Sequence, residues 1–211
     1  MKAVVIGSTG IIGGAVVSAL EGSCHEVLGA SRRGALRVDL EQPDSVDALF
    51  AAVGPVDAVI VTAGSGALVP LLDSTEDELF TGLHGKLLGQ VRLVRGALAS
   101  VRDGGSITLT SGAIPEATAG ASFGALTNAG LNAFVRRAAV ELPRGVRLNA
   151  VSPGWVRETL VALGPEARAE LAVDVSQGTP ASEVAEGYVR LATGRETGRR
   201  GSWTPTGWQL T

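Results

Sequence analysis

Three glycines recur at three-residue spacing in Gly7-Ser8-Thr9-Gly10-Ile11-Ile12-Gly13, between the apolar run Val4-Val5-Ile6 and the helix-forming run Ala15-Val16-Val17. Gly7 and Gly10 permit backbone angles and close approach that a Cβ would block, and Gly13 lets a helix pack near a strand. A strand, a glycine turn and a helix in that order aim free N–H groups and the positive end of a helix dipole at a pyrophosphate. Tight turns use glycine for structural reasons too, and here the flanking strand and helix favour a nucleotide. The second strand ends at Ser31-Arg32-Arg33, where a carboxylate would bind the ribose 2′-hydroxyl of NAD. Guanidinium groups fork onto phosphate oxygens instead, so NADP(H) is expected in preference to NAD(H). A solvated arginine pair is the plainer alternative. Asp39-Leu40 follows the next short strand and brings a carboxylate toward an adenine, unless that acid or Asp44 caps the helix after Pro43.

Elements that could position these residues are legible in the pattern. Short Val/Ile-rich runs alternate with longer Ala/Leu-rich stretches carrying charges at helical spacing, as in β-α units around a parallel sheet. Strands are predicted at Lys2 to Ile6, Glu26 to Ser31, Ala35 to Val38, Ala58 to Thr62, Ser106 to Thr110 and Arg147 to Val151. Helices are predicted at Ile12 to Glu21, Pro43 to Val53, Thr75 to Arg102, Ala125 to Leu142, Pro165 to Ala172 and Ser182 to Thr193. Asp44 and Ser182 are the expected caps, and Gly104, Gly105 and Gly145 the expected helix exits. The tail Trp203 to Leu210 is expected to form the last strand and its turn. The segments Ser111 to Ser122 and Pro153 to Gly154 read as loops at strand ends, where an open parallel sheet places ligands. The fold class is α/β: one doubly wound, Rossmann-like domain over residues 1–211, with helices on both faces of the sheet.

Composition narrows the partners. Of 211 residues 45% are hydrophobic and 18% charged, which suits a packed chain rather than a disordered one. The net charge of −3 is the sum of 21 acidic and 18 basic residues mixed along the chain, so no basic face awaits nucleic acid. No apolar run reaches the roughly 20 residues that span a bilayer. Cys24 is the sole cysteine, so no internal disulfide forms, and a cytoplasmic location is the default expectation. No metal site is expected.

With these markers in view, the chain resembles the short-chain dehydrogenase/reductase family over nearly its whole length. The resemblance rests on Gly7 to Gly13, Asp39-Leu40, Ala63-Gly64 after the fourth strand, Ser111 after the fifth, and Asn149 to Gly154 after the sixth. It implies a hydride carrier of the NAD or NADP type and a small-molecule carbonyl or alcohol substrate. It also implies a homodimer or homotetramer built on the long helices of residues 75–102 and 125–142. The family combines a serine, a Tyr-x-x-x-Lys pair and a helix asparagine. Ser111 matches the serine, Gly124 stands at the tyrosine and Asn128 at the lysine, and His84 is read at the asparagine.

Both usual proton-handling residues are therefore missing. The sole tyrosine, Tyr188, lies in a late helix, and the only lysines are Lys2 and Lys86. His84 has a side chain suited to proton transfer near neutral pH and is the expected substitute acid, with a plain helix histidine as the alternative. Lys86, two residues on, should point to a different side; it reads as solvated unless the helix is irregular at Gly82 and Gly85. Asn128 is expected to hydrogen-bond a ribose hydroxyl, and the backbone of Pro153-Gly154 to contact the nicotinamide amide, with Thr159 nearby. Trp155, Trp203 and Trp208 read either as pocket walls or as buried core. Two functions stay open: an NADP(H)-dependent oxidoreductase with an atypical site, and a catalytically silent NADP(H)-binding sensor or scaffold.

Overall fold

The computed structural model describes residues 1–64, 68–115, 118–204 and 207–211, with the side chains at 79 and 81 set aside. The chain begins β1 (Lys2–Ile6), α1 (Ile11–Gly22), β2 (Glu26–Ser31), β3 (Leu36–Arg37), α2 (Pro43–Val53) and β4 (Val56–Val61). It continues through α3 (Glu76–Gly82), a π-helical turn (Leu83–Leu88), α4 (Gly89–Ala97), β5 (Val101–Thr110), α5 (Ser122–Ala138) and β6 (Arg147–Ser152). It ends with α6 (Arg157–Glu170), a 3-10 turn (Val175–Gln177), α7 (Ala181–Thr193), β7 (Arg200–Thr204) and β8 (Gly207–Leu210). One sheet runs in the order β3-β2-β1-β4-β5-β6-β7-β8, parallel throughout except for the β7–β8 hairpin. The order reverses between β1 and β4, the crevice where such sheets bind ligands.

Burial explains the strand composition. Along β1, Val4 and Ile6 face one apolar layer with Phe50, Leu93 and Leu131, while Ala3 and Val5 face the other with Leu20 and Leu191. The two-residue alternation sends successive side chains to opposite faces, and both faces are covered, so the strand is apolar throughout. Each large apolar side chain so buried contributes about 1.5 to 3 kcal/mol.

The expected elements are present, with instructive differences. β1, β2 and α2 have the expected ends. At α2 the cap position is Gln42 and Pro43 follows it, while Asp44 sits in the first turn and caps nothing. Likewise Pro180, not Ser182, precedes α7. The helix expected over residues 75–102 is broken by the π-helical turn and ends at Ala97. β5 starts at Val101, so Gly104 and Gly105 lie inside an irregular stretch of strand where the β4 register shifts, and are not helix exits. The segment 156–180 contains α6, which is kinked at Gly164 (φ 81°, ψ 167°) just before Pro165. Within the tail, Trp203 and Trp208 meet edge to face at 4.7 Å and 66°, and residues 205–206, on which the expected turn falls, lie outside the described residues. Among the described residues no helix is long and apolar enough to cross a membrane.

Candidate active site

A cavity of about 580 Å³ lies at the carboxyl ends of the central strands. Thr62 and Gly64 after β4, Thr110 and Ser111 of the β5 end, and Pro153 and Gly154 after β6 all line it.

The glycine turn sits at its edge, where Ile12 reaches the cavity. The N–H groups of Gly7 and Ser8 both donate to the Ala30 carbonyl at 2.8 and 3.2 Å, tying the turn to the end of β2. Gly7 has φ +90°. A Cβ on Gly13 would collide with the Gly7 carbonyl and lie 2.7 Å from the Thr62 Oγ1. Gly10 caps α1 with no side-chain bond, leaving the first-turn N–H groups of the helix for a ligand. Thr9, Gly10 and Ile11 are exposed there.

At the end of β2 the Ser31 hydroxyl is buried with no hydrogen-bond partner, beside the exposed Arg32 and Arg33. A buried, unpaired hydroxyl costs stability, which marks this spot for a polar ligand. Asp39 accepts the Glu41 N–H at 3.1 Å, and the Ser45 hydroxyl accepts the Asp39 N–H at 2.9 Å. The acid thus orders the chain entering α2 without capping it. Leu40 is buried against Gly89, where a Cβ would lie 2.8 Å from the Leu40 Cβ.

Ser111 is 2% exposed and its hydroxyl lies 2.8 Å from that of Ser152. Thr110 pairs with Val151 in the parallel β5–β6 ladder, so the next residues, Ser111 and Ser152, fall side by side. Ser152 escaped sequence reasoning; its signal is a second strand ending in serine at matched register. Asn128 is buried with Oδ1 unpartnered, and Gly112 packs on its amide, a Cβ there falling 3.0 Å from Nδ2. Gly124 lines the cavity, and a Cβ on it would lie 3.0 Å from the Ile114 Cδ1. No phenol replaces the missing one, because Tyr188 is fully buried under the sheet with its hydroxyl 2.6 Å from that of Thr110. Burial pushes that phenol far above its ordinary range.

The break in the long helix decides which side chain enters the cavity. His84 is exposed and is not among the cavity residues, so it does not occupy the substitute-acid position read from the sequence. Lys86 does line the cavity. Its stem packs on Gly64, where a Cβ would lie 3.0 Å from the Lys86 Cγ, and desolvation lowers its pKa to about 8. The turn is wedged on three sides: Gly85 faces Glu41, Leu87 covers Gly130 of α5, and Gly89 abuts Leu40. π-helical turns concentrate at functional sites because they rotate side chains out of helical register.

After β6 the chain is pinned in place. The Pro153 carbonyl accepts the Ala113 N–H at 2.8 Å, and the Trp155 carbonyl accepts the Thr179 N–H at 2.9 Å. Trp155 and Thr159 line the cavity; Trp203 and Trp208 instead pack on Gly187 of α7. Among the described residues no group of His, Cys, Asp and Glu could hold a metal ion.

Comparison with known proteins agrees with this geometry. A family model described as "Enoyl-(Acyl carrier protein) reductase" matches residues 14–198. The chain is 33% identical over 175 residues to the Mycobacterium tuberculosis "(5R,7aS)-5-hydroxy-7a-methyl-1-oxo-2,3,5,6,7,7a-hexahydro-1H-indene-carboxyl-CoA reductase", a match covering 79% of this chain and 66% of that protein. It is 27% identical to the L-xylulose reductase of Mesocricetus auratus, with 75% of this chain and 73% of the relative covered. Among solved structures, the protein lin1944 from Listeria innocua superposes with a TM-score of 0.88 at 32% identity, covering 97% of this chain and 100% of that one. A small-chain dehydrogenase in complex with NADPH superposes with a TM-score of 0.82 at 28% identity, covering 96% and 95%. On fold, site geometry and sequence match together, the chain belongs to the short-chain dehydrogenase/reductase family.

Proposed function

We propose that this chain is an NADP(H)-dependent oxidoreductase that interconverts a carbonyl and an alcohol on a small molecule, through a site without the usual tyrosine and lysine. The observation that carries the reading is the gathering around one crevice of a glycine cradle that a Cβ would fill and two buried polar atoms without partners, the Ser31 Oγ and the Asn128 Oδ1. These features suit a dinucleotide. Gly7, Ser8, Thr9, Gly10, Ile11, Ile12 and Gly13 take the pyrophosphate; Ser31, Arg32 and Arg33 take the 2′-phosphate; Asp39 and Leu40 flank the adenine. Ala63 and Gly64 support the cofactor's midsection, Asn128 accepts from a ribose hydroxyl, and Pro153 and Gly154 hold the nicotinamide amide. The NADPH complex of the 28%-identical structural relative supports the phosphorylated cofactor.

When bound, the nicotinamide supplies or receives the hydride. The Ser111 hydroxyl, aligned by Ser152, donates a hydrogen bond to the substrate carbonyl. Val69, Ile114, Phe123, Trp155 and Leu163 give the rest of the cavity an apolar wall, so the substrate carries its carbonyl on an apolar body. The relatives' names, reductases of a fused-ring keto compound and of L-xylulose, agree with a carbonyl substrate. We assign residues 1–211 to one dinucleotide-binding domain, working in the cytoplasm as a homodimer or homotetramer.

Calorimetric titration with NADPH and NADH tests the reading. NADPH binds the more tightly, and Arg32→Ala with Arg33→Ala weakens it by about 1 to 3 kcal/mol while leaving NADH little changed. Binding of neither nucleotide would overturn it. The glycine at 124 and the asparagine at 128 favour a second reading, a cofactor-binding sensor; tight NADPH binding without oxidation across a carbonyl panel would select it.

A further inference from the structure

We propose that Lys86 is the proton donor of this site, its ammonium protonating the substrate carbonyl oxygen in place of the absent phenol. The inference rests on the oxidoreductase reading above. Three observations lead to it.

First, the π-helical turn places Lys86, alone of the chain's two lysines, in the wall of the cavity that Ser111 also lines. Second, its stem packs on Gly64, just after β4, which lines the same cavity. Third, among the described residues its half-buried side chain has no hydrogen bond or ion pair, so the three donors of its ammonium are free for a substrate oxygen. The other titratable groups lining the cavity are Glu78 of α3 and Glu170 of α6. Glu78 is occupied by the N–H and hydroxyl of Thr75 at 2.8 Å each, Glu170 is exposed, and Glu41 faces Gly85. α5 contributes Phe123, Gly124, Thr127 and Asn128 to the cavity, none of them ionisable. Lys86 is thus the cation of the cavity wall, and desolvation brings it to about 8, close to working pH for a general acid.

The step balances. As hydride from a reduced nicotinamide forms the new C–H bond, the carbonyl π pair moves to oxygen and takes a proton from the Lys86 ammonium. The products are an alcohol, an oxidised nicotinamide and a neutral amine that water reprotonates. In the reverse direction the neutral amine accepts the hydroxyl proton.

Because Lys2 and Lys86 are the only lysines, carbon-13 lysine labelling gives two side-chain signals, and Lys86→Met assigns them. With NADP⁺ bound, the Lys86 signal titrates with a midpoint near 8. Lys86→Met lowers NADPH-dependent carbonyl reduction by about 100-fold while changing NADPH affinity less than about twofold. Wild-type reduction falls as pH rises through the midpoint, and Lys86→Arg binds NADPH with a flat, low pH profile. A Lys86 midpoint above about 10, or a Lys86→Met protein with wild-type turnover, overturns the proposal alone. An NADPH affinity weakened tenfold with unchanged turnover also overturns it, and makes Lys86 a cofactor contact. A wild-type protein that binds no NADPH overturns the cofactor reading and the proposal with it.

Discussion

The side-chain amide of Gln90 grips the backbone of Thr110 at both ends, donating from Nε2 to the carbonyl and accepting the N–H at Oε1, each at 2.9 Å. The β4–β5 register ends at Thr108, two residues earlier, so on that side the Thr110 peptide groups lack a ladder partner and the wholly buried amide serves instead. The bond pair anchors α4 to the strand end that carries Ser111, while the Thr110 hydroxyl also donates to Val61 and meets Tyr188 from the other face.

Gln90→Leu leaves a buried N–H and a buried carbonyl unpaired, at a cost of about 3 kcal/mol. For a chain of this size that lowers the Tm by roughly 5 to 10 °C, read by circular dichroism. A shift below about 2 °C would show that water or a backbone movement satisfies both groups.

The two glycines at 13 and 14 respond oppositely to alanine. At Gly13 the new methyl meets the Gly7 carbonyl and the Thr62 hydroxyl, so Gly13→Ala destabilises by about 1 to 3 kcal/mol and weakens NADPH binding. At Gly14 the nearest atom is the Ser8 carbonyl oxygen at 3.8 Å, and Gly14→Ala stabilises by roughly 0.5 to 1 kcal/mol. Equal effects from both variants would contradict the packing described for the turn.

Ser111→Ala removes the hydroxyl aimed at the substrate and lowers kcat by about 100-fold with NADPH affinity unchanged. Ser152→Ala leaves that hydroxyl present but less well aligned, a loss of about tenfold. Steady-state kinetics on the two variants and the double variant read the coupling. Additive losses would mean that the 2.8 Å contact does not align Ser111.

Stability should depend on pH through Lys86. Its folded pKa, lowered to about 8, lies below the unfolded value near 10.5, so between these values the unfolded chain binds more protons and stability rises with pH. The full rise is on the order of 3 kcal/mol, and Lys86→Met removes it while stabilising the fold at neutral pH by a similar amount. Tyr188 acts with the opposite sign: its raised folded pKa makes stability fall above about pH 10, where the unfolded phenol ionises. Asp57, lowered chiefly by the Lys2 backbone N–H, contributes stability that is lost in acid. Urea unfolding from pH 7 to 10 measures the Lys86 limb, and a flat curve would mean that its ammonium is solvated.

Local chemistry wrote much of this fold into the chain. β1 and β2 are unbroken strand-forming runs, and α2 is bracketed by Pro43, whose fixed φ starts a helix, and Gly54, which ends it at φ 64°. The glycine turn is equally local, since its spacing, the strand before it and the helix after it lie within about twenty residues. Ser111 and Asn128 were found by resemblance at the ends of legible elements, and both line the cavity. Tertiary structure alone decided the rest. The stretch over 83–88 reads as ordinary helix, and what opens it into a π turn is distant packing: Glu41 at Gly85, Gly130 under Leu87, and Leu40 at Gly89. That rotation turns Lys86 inward and leaves His84 outside. The pairing of Ser111 with Ser152 depends on the β5–β6 register, and the use of Gln90 on how far β4 extends beside β5. Contacts across about forty to fifty residues set these features, and helical or strand periodicity, which repeats over two to four residues, carries no record of them.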